Sequence, residues 1–383
     1  IDFAVDNGFK RLLLQEGHII LGKPTGSPAY YYEGIRLPSD VVFEMGPNAT
    51  LEMTPNSVWN YCLINVYLSS NVTIRGGALL GDRDAHGYVG QPVGDRFIYH
   101  HDEGHGICIT EADHILIDDM RISKFTGDGI LVIGKVSHDV TIRNSELFNN
   151  RRQGVSIVGA RRIAIEDNVI HNTKGTPPQF GVDVEASAAN IGFDRDIIIQ
   201  RNEFHSNRGG GVTVQTGSNV FVLNNTMTEK AGSANNWKGA GITVFNRAEA
   251  IIQSNIITKA KDPITQAQTN GDGIREWPKG PEPEGRQFYI HDNTCIGCGM
   301  ILRGSKVGPN IQRNKFGGHI LWFIDVENLV LVDNEHLGTS AENCFSVKFQ
   351  RTSGQALDNL FNDEPIIFPL KPNTFYNSPY NCP

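Results

Sequence analysis

The sequence predicts an all-β chain wound as a right-handed parallel β-helix, a solenoid of roughly ten coils with a short N-terminal capping helix. Two repeated phrases carry this expectation. In the first, an outward residue precedes a glycine and alternating apolar residues, at 104–109, 127–132, 152–157, 179–184, 209–214, 239–244, 271–276 and 297–302. Successive second glycines lie 23, 25, 27, 30, 30, 32 and 26 residues apart. A strand pattern at that period marks units that stack on their neighbours and do not fold singly. In the second phrase an apolar triplet and two polar residues end at Asn168, Asn202, Asn225, Asn255, Asn293, Asn314 and Asn334. Asn tolerates left-handed backbone, and stacked Asn side chains hydrogen-bond along a ladder of equivalent positions. Ser145 takes the same place one coil earlier.

The elements follow in order. Residues 1–50 open on a helix-like stretch from Ile1 and continue in strands that cap the open end of the core. The abrupt start at Ile1 leads to the expectation that residues upstream are missing. Residues 51–338 are the coils, each with two or three short strands that alternate inward and outward. A coil returning to the same sheet supplies the crossover that parallel strands need. Ile107/Ile109, Ile130/Val132, Val155/Ile157, Val182/Val184, Val212/Val214 and Ile242/Val244 form the continuous inner columns. Glu276 breaks that column, so its strand is expected to bulge beside the Pro-rich loop that follows. From 339 to 383 the period fades into a Pro-, Asn- and aromatic-rich tail that caps the other end.

Composition narrows the function classes. A net charge of −8 argues against a nucleic-acid partner. No apolar run approaches the roughly 18 residues of a membrane span, and no signal peptide is read. The pair Cys295 and Cys298 lacks the second pair of a zinc site, so Cys295 is expected as a buried thiol. A calcium site from Asp82 and Asp84 falls short in ligand count. No metal and no cofactor are expected.

Chemistry belongs on the outward face of the glycine strands. Outward residues two apart lie on one side of the sheet, about 6.6 Å from each other. Most of that column is neutral, but one coil places Asp183 and Glu185 together. Arg151, Arg152 and Gln153 lie on the coil beneath, and Asp128 and His105 below those. Two carboxylates that do not ionise comfortably together have pKa values pushed apart, which yields an acid and a base. Their spacing overlaps that of inverting glycoside hydrolysis, with Asp128 as a third carboxylate. The alternative reading is a solvated outward pair. Arg151 and Arg152 either clamp a substrate anion or neutralise the pair. Loops bearing His86 and His101 would wall a groove, with Trp237, Trp277 and Tyr88 as candidate sugar-stacking platforms.

The run 76–86, the stretches 149–157 and 175–185, and the glycine strands at 104 and 127 together resemble pectate-lyase-like β-helix proteins of phages and prophages. Those include tailspike and appendage depolymerases. The resemblance spans about residues 1–260. It implies binding and cleavage of a host cell-surface polysaccharide, assembly as a homotrimer, and a place on the virion tail. A secreted bacterial protein is the alternative. The family mixes hydrolases, lyases and epimerases. The leading expectation is endo-glycosidic hydrolysis by Asp183 and Glu185 with Asp128, and substrate binding by Arg151, Arg152, Gln153, His105 and Trp237. The alternatives are a lyase or epimerase acting on a uronic-acid polymer, or a non-catalytic glycan-binding spike.

Overall fold

The computed structural model describes residues 1–24, 31–89, 91–93, 96–98, 101–185, 192–229, 240–259, 272–278, 282, 285–337, 347–361 and 364–370. Trp237 lies outside the described residues. The chain folds as a right-handed parallel β-helix whose described regular structure is strand apart from one short helix. It divides into two compact units, residues 1–194 and 195–383. A helix, Asp2–Asp6, precedes the first strand. No described helix is long and apolar enough to cross a membrane.

In the first unit Asn60–Tyr67 and the glycine phrases after it form one column of parallel strands: Asn60–Tyr67, Glu103–Thr110, Ile130–Ile133, Val155–Val158 and Phe180–Glu185. Register is strict, with Ile107 on Ile130, Ile130 on Val155 and Val155 on Val182. These residues have no exposed surface, as the inward half of the alternation requires. A second column contains Ser70–Arg75, Asp113–Asp118, His138–Arg143 and Arg161–Glu166. The second residue of each of those strands is left-handed: Asn71, His114, Asp139 and Arg162, with φ of 60°, 55°, 54° and 52°. Parallel pairing already begins at Arg11, whose strand lies against Val42–Met45.

A disulfide joins Cys62 to Cys108 across neighbouring coils, 46 residues apart in sequence. In the second unit Cys295 and Cys298 are also disulfide-bonded. This corrects the expectation of a buried Cys295 thiol: both sulfurs are buried, but they are within bonding reach of each other.

The asparagine ladder forms as the sequence predicts. In the second unit Asn225 Oδ1 accepts from the backbone N–H and Nδ2 of Asn202, while its own Nδ2 donates to Asn255 Oδ1 at 3.0 Å and to the Ile199 carbonyl at 2.9 Å. The same pattern runs through Asn255, Asn293, Asn314, Asn334 and Asn359. In the first unit Asn168 Oδ1 accepts from the backbone N–H of Ser145. Each rung satisfies buried backbone groups that would otherwise cost about 1–3 kcal/mol apiece.

Glu276 does sit in the inner column, in register with Val244 and without exposed surface. An inward carboxylate survives there because Arg286 Nη1 lies 2.7 Å from its Oε1, also fully buried. Burial still dominates and pushes the Glu276 pKa up to about 7. The expected irregularity appears in the same strand, between Asp272 and Ile274.

Candidate functional site

The strand Phe180–Glu185 sets the site. Val182 and Val184 point into the core, so Asp183 and Glu185 leave the opposite side, in register with Ser156 and Val158. The column alignment therefore holds. The pair is nonetheless less open than a bare outward face implies. Asp183 has no exposed surface, whereas the Glu185 side chain retains 23%.

Gln153 holds Asp183 from the coil beneath. Its Nε2 donates to Asp183 Oδ2 at 2.7 Å, and its Oε1 accepts from the Phe180 backbone N–H at 2.7 Å. The amide thus spans two coils and fixes the carboxylate in one orientation. Arg152 takes the other partner: Nη2 donates to Glu185 Oε1 at 2.6 Å. Its Nη1 donates to Asp128 Oδ2 at 3.0 Å and to the Ser156 hydroxyl at 3.3 Å. One guanidinium therefore bridges carboxylates from two different coils, a geometry its rigid fork allows and an ammonium does not.

The electrostatics follow from burial. Burial raises the Asp128 carboxyl pKa above its ordinary range, although Arg152 and Ser156 pull it down. Burial also opposes the Arg152 charge, but Asp128 and Glu185, then Asp183, outweigh it and raise that pKa. Three carboxylates around one cation leave an excess of negative charge in a desolvated place. Asp128 and Asp183 are both fully buried, and burial favours the protonated form of Asp128.

His105 completes the cluster. The Asp128 backbone N–H donates to His105 Nδ1 at 3.0 Å, which assigns the ring proton to Nε2. Burial, then Arg152, pushes the His105 pKa down to about 3, so the ring is neutral. Among the described residues Nε2 has no hydrogen-bond partner, although it is buried. Gly127 makes room for this ring: a Cβ there would lie 2.5 Å from the Asp102 carbonyl oxygen and 2.8 Å from His105 Nδ1.

Tyr31 also meets His105, edge to face with ring centroids 5.4 Å apart. Burial, then Glu103 and Asp128, raises its pKa above the ordinary tyrosine value. The repeats gave no signal for Tyr31, since it precedes the first glycine strand by dozens of residues.

Arg151 turns to the loops instead. Its Nη1 donates to the His101 carbonyl at 3.2 Å, and its guanidinium lies 4.9 Å from the Tyr88 ring centroid. There Asp82, His86 and His101 form a chain: His86 Nδ1 is 2.7 Å from Asp82 Oδ2, and His86 Nε2 is 3.0 Å from His101 Nδ1. Tyr61 Oη and both the backbone N–H and Nδ2 of Asn56 also donate to Asp82. Asp82 is thus committed to protein donors, and Asp84 pairs with Lys124 at 2.9 Å. Trp277, in the second unit, is 41% exposed and flanked by Arg275 and Arg303.

A family model for the right-handed β-helix region matches residues 41–227 and 186–363. The Bacillus subtilis protein YclG is 29% identical over 322 residues, 79% of this chain and 52% of YclG. The chain therefore spans about half the length of that relative. Among solved structures, the catalytic unit of a GH87 α-1,3-glucanase from Streptomyces thermodiastaticus superposes with a TM-score of 0.56 at 13% identity, covering 96% of this chain and 66% of its own. The tailspike gp49 of Acinetobacter baumannii bacteriophage Fri1, a capsular polysaccharide depolymerase, does so at 0.54 and 13%, covering 98% and 60%. These likenesses agree with the coiled fold described above, and the chain belongs to the right-handed β-helix family.

Proposed function

We propose that this chain is the β-helix part of a depolymerase that cleaves a cell-surface polysaccharide by endo-glycosidic hydrolysis. The observation that carries the reading is the cluster of Asp128, Asp183 and Glu185 around Arg152, on one face of successive coils. Hydrolysis needs a carboxylic acid that holds its proton and a carboxylate that does not. Asp128, raised by burial, supplies the proton to the leaving oxygen. Glu185, partly exposed and paired with Arg152, and Asp183, oriented by Gln153, are the carboxylates placed to act as base or nucleophile. The neutral His105 Nε2–H donates to a sugar oxygen, which gives that buried donor its partner. The glucanase and the phage depolymerase of the same fold indicate the substrate class, a polysaccharide.

The site favours hydrolysis over elimination. A lyase needs a free cation to neutralise the uronate carboxylate and a base near neutrality. Arg152 is already engaged by two carboxylates, and Tyr31 is shifted away from neutrality. Assembly as a homotrimer on a virion tail, as in phage spikes, belongs to the same proposal. Light scattering tests the assembly. Incubation with capsule and O-antigen preparations tests the reaction: hydrolysis releases reducing ends without an ultraviolet-absorbing unsaturated sugar. Appearance of that sugar would show a lyase.

A further inference from the structure

The geometry points to a binding site for a divalent transition-metal cation of the zinc type, formed by Asp113, His114 and His138 on the second strand column. One ligand atom from each lies within 4.8 Å of the others. The fold builds this meeting. Asp113 and His138 are register partners on adjacent parallel strands, so their side chains leave the same face, one strand spacing apart. His114 follows Asp113 and in regular strand would point to the opposite face. Its left-handed φ of 55° breaks that alternation and turns the imidazole back. The His114 and His138 rings meet edge to face with centroids 5.8 Å apart.

A supporting shell is in place. Asp139 Oδ2 lies 2.9 Å from His138 Nδ1, which leaves Nε2 to a ligand. Arg162 grips Asp139 with Nε at 2.7 Å and Nη2 at 2.9 Å, and the Ser70 hydroxyl donates to Asp113. A carboxylate that orients a ligating histidine, and is itself held, is the arrangement that tunes metal sites. Two imidazoles and one carboxylate suit zinc with a water as fourth ligand, whereas calcium wants six to eight oxygens. Access is open: the His114 side chain is 61% exposed and that of Asp113 32%. Without an ion His114 Nδ1 is hydrogen-bonded to Asp113 Oδ1 at 2.5 Å, so zinc would take the place of that shared proton, and rotation of the exposed His114 side chain would set the ligand spacing. A zinc ion here would tie two coils together without touching the carboxylate cluster.

The test is calorimetric titration of zinc chloride into the metal-free full chain, with calcium chloride as comparison. The expected result is one zinc per chain and no comparable calcium binding. His114→Ala and His138→Ala should each weaken zinc at least tenfold, and Asp139→Asn roughly 10- to 100-fold through loss of orientation. His114 is exposed, so His114→Ala keeps the test interpretable if His138→Ala does not fold, as circular dichroism would report. Absence of zinc binding, equal binding by calcium, or wild-type affinity in His114→Ala would overturn the proposal. Wild-type affinity in Asp139→Asn would overturn the orienting role.

Discussion

Arg152→Ala should destabilise the chain in a pH-dependent way. The substitution removes the hydrogen bonds to Asp128 at 3.0 Å and Glu185 at 2.6 Å. Glu185 is partly exposed and water replaces its partner, so that contact contributes at most about 1 kcal/mol. Asp128 is fully buried, and a buried charge stripped of its partner costs about 3–5 kcal/mol. It escapes by binding a proton. Its folded pKa, already raised by burial, rises further in the variant, while the unfolded value stays near 3.9. A raised folded pKa contributes stability below the unfolded value and loses it as pH climbs through the folded value. The loss should therefore reach about 3–5 kcal/mol at pH 7 and shrink towards pH 4. Urea unfolding at both pH values reads this directly. Arg152→Ala with Asp128→Asn should recover most of the loss at pH 7, since no buried charge remains. A cost below about 1 kcal/mol at pH 7, or one independent of pH, would refute the reasoning.

Three further outcomes follow from the same physics. Asn255→Ala should destabilise by about 2–4 kcal/mol in chemical denaturation, because it orphans the Val222 carbonyl, the Asn225 N–H and the next rung. Cys62→Ser should cost up to about 4 kcal/mol, the loop-closure value for a 46-residue separation, and wild type under reductant should show a comparable loss. Glu276 titrates near 7 in the fold against an ordinary unfolded value, so wild-type stability should fall by a few kcal/mol from pH 5 to pH 8, and Glu276→Gln should flatten that slope.

The repeats made most of this fold readable, and their limits are physical. Period-two alternation forces Val182 and Val184 inward and hence Asp183 outward, so the site strand was legible. Asn168 through Asn334 announced a ladder because only a stacked position repeats one amide at each coil. Burial of Asp183 and Asp128 was not legible, since it depends on what covers the outward face. Nor was the bond between Cys62 and Cys108, which requires the register of two particular coils. Tyr31 carries no periodic mark. The metal-type cluster was hidden for a different reason: neighbours Asp113 and His114 share a face only through a left-handed turn that alternation rules do not anticipate.

The most direct test of the proposed reaction compares Asp128→Asn, Asp183→Asn and Glu185→Gln with wild type on a polysaccharide that the wild type depolymerises, following reducing ends and product size. The account predicts a loss of turnover of about 100-fold or more in Asp128→Asn and in at least one of the other two, with folding preserved. Wild-type cleavage rates in all three variants would contradict it and move the chemistry away from the Arg152 cluster.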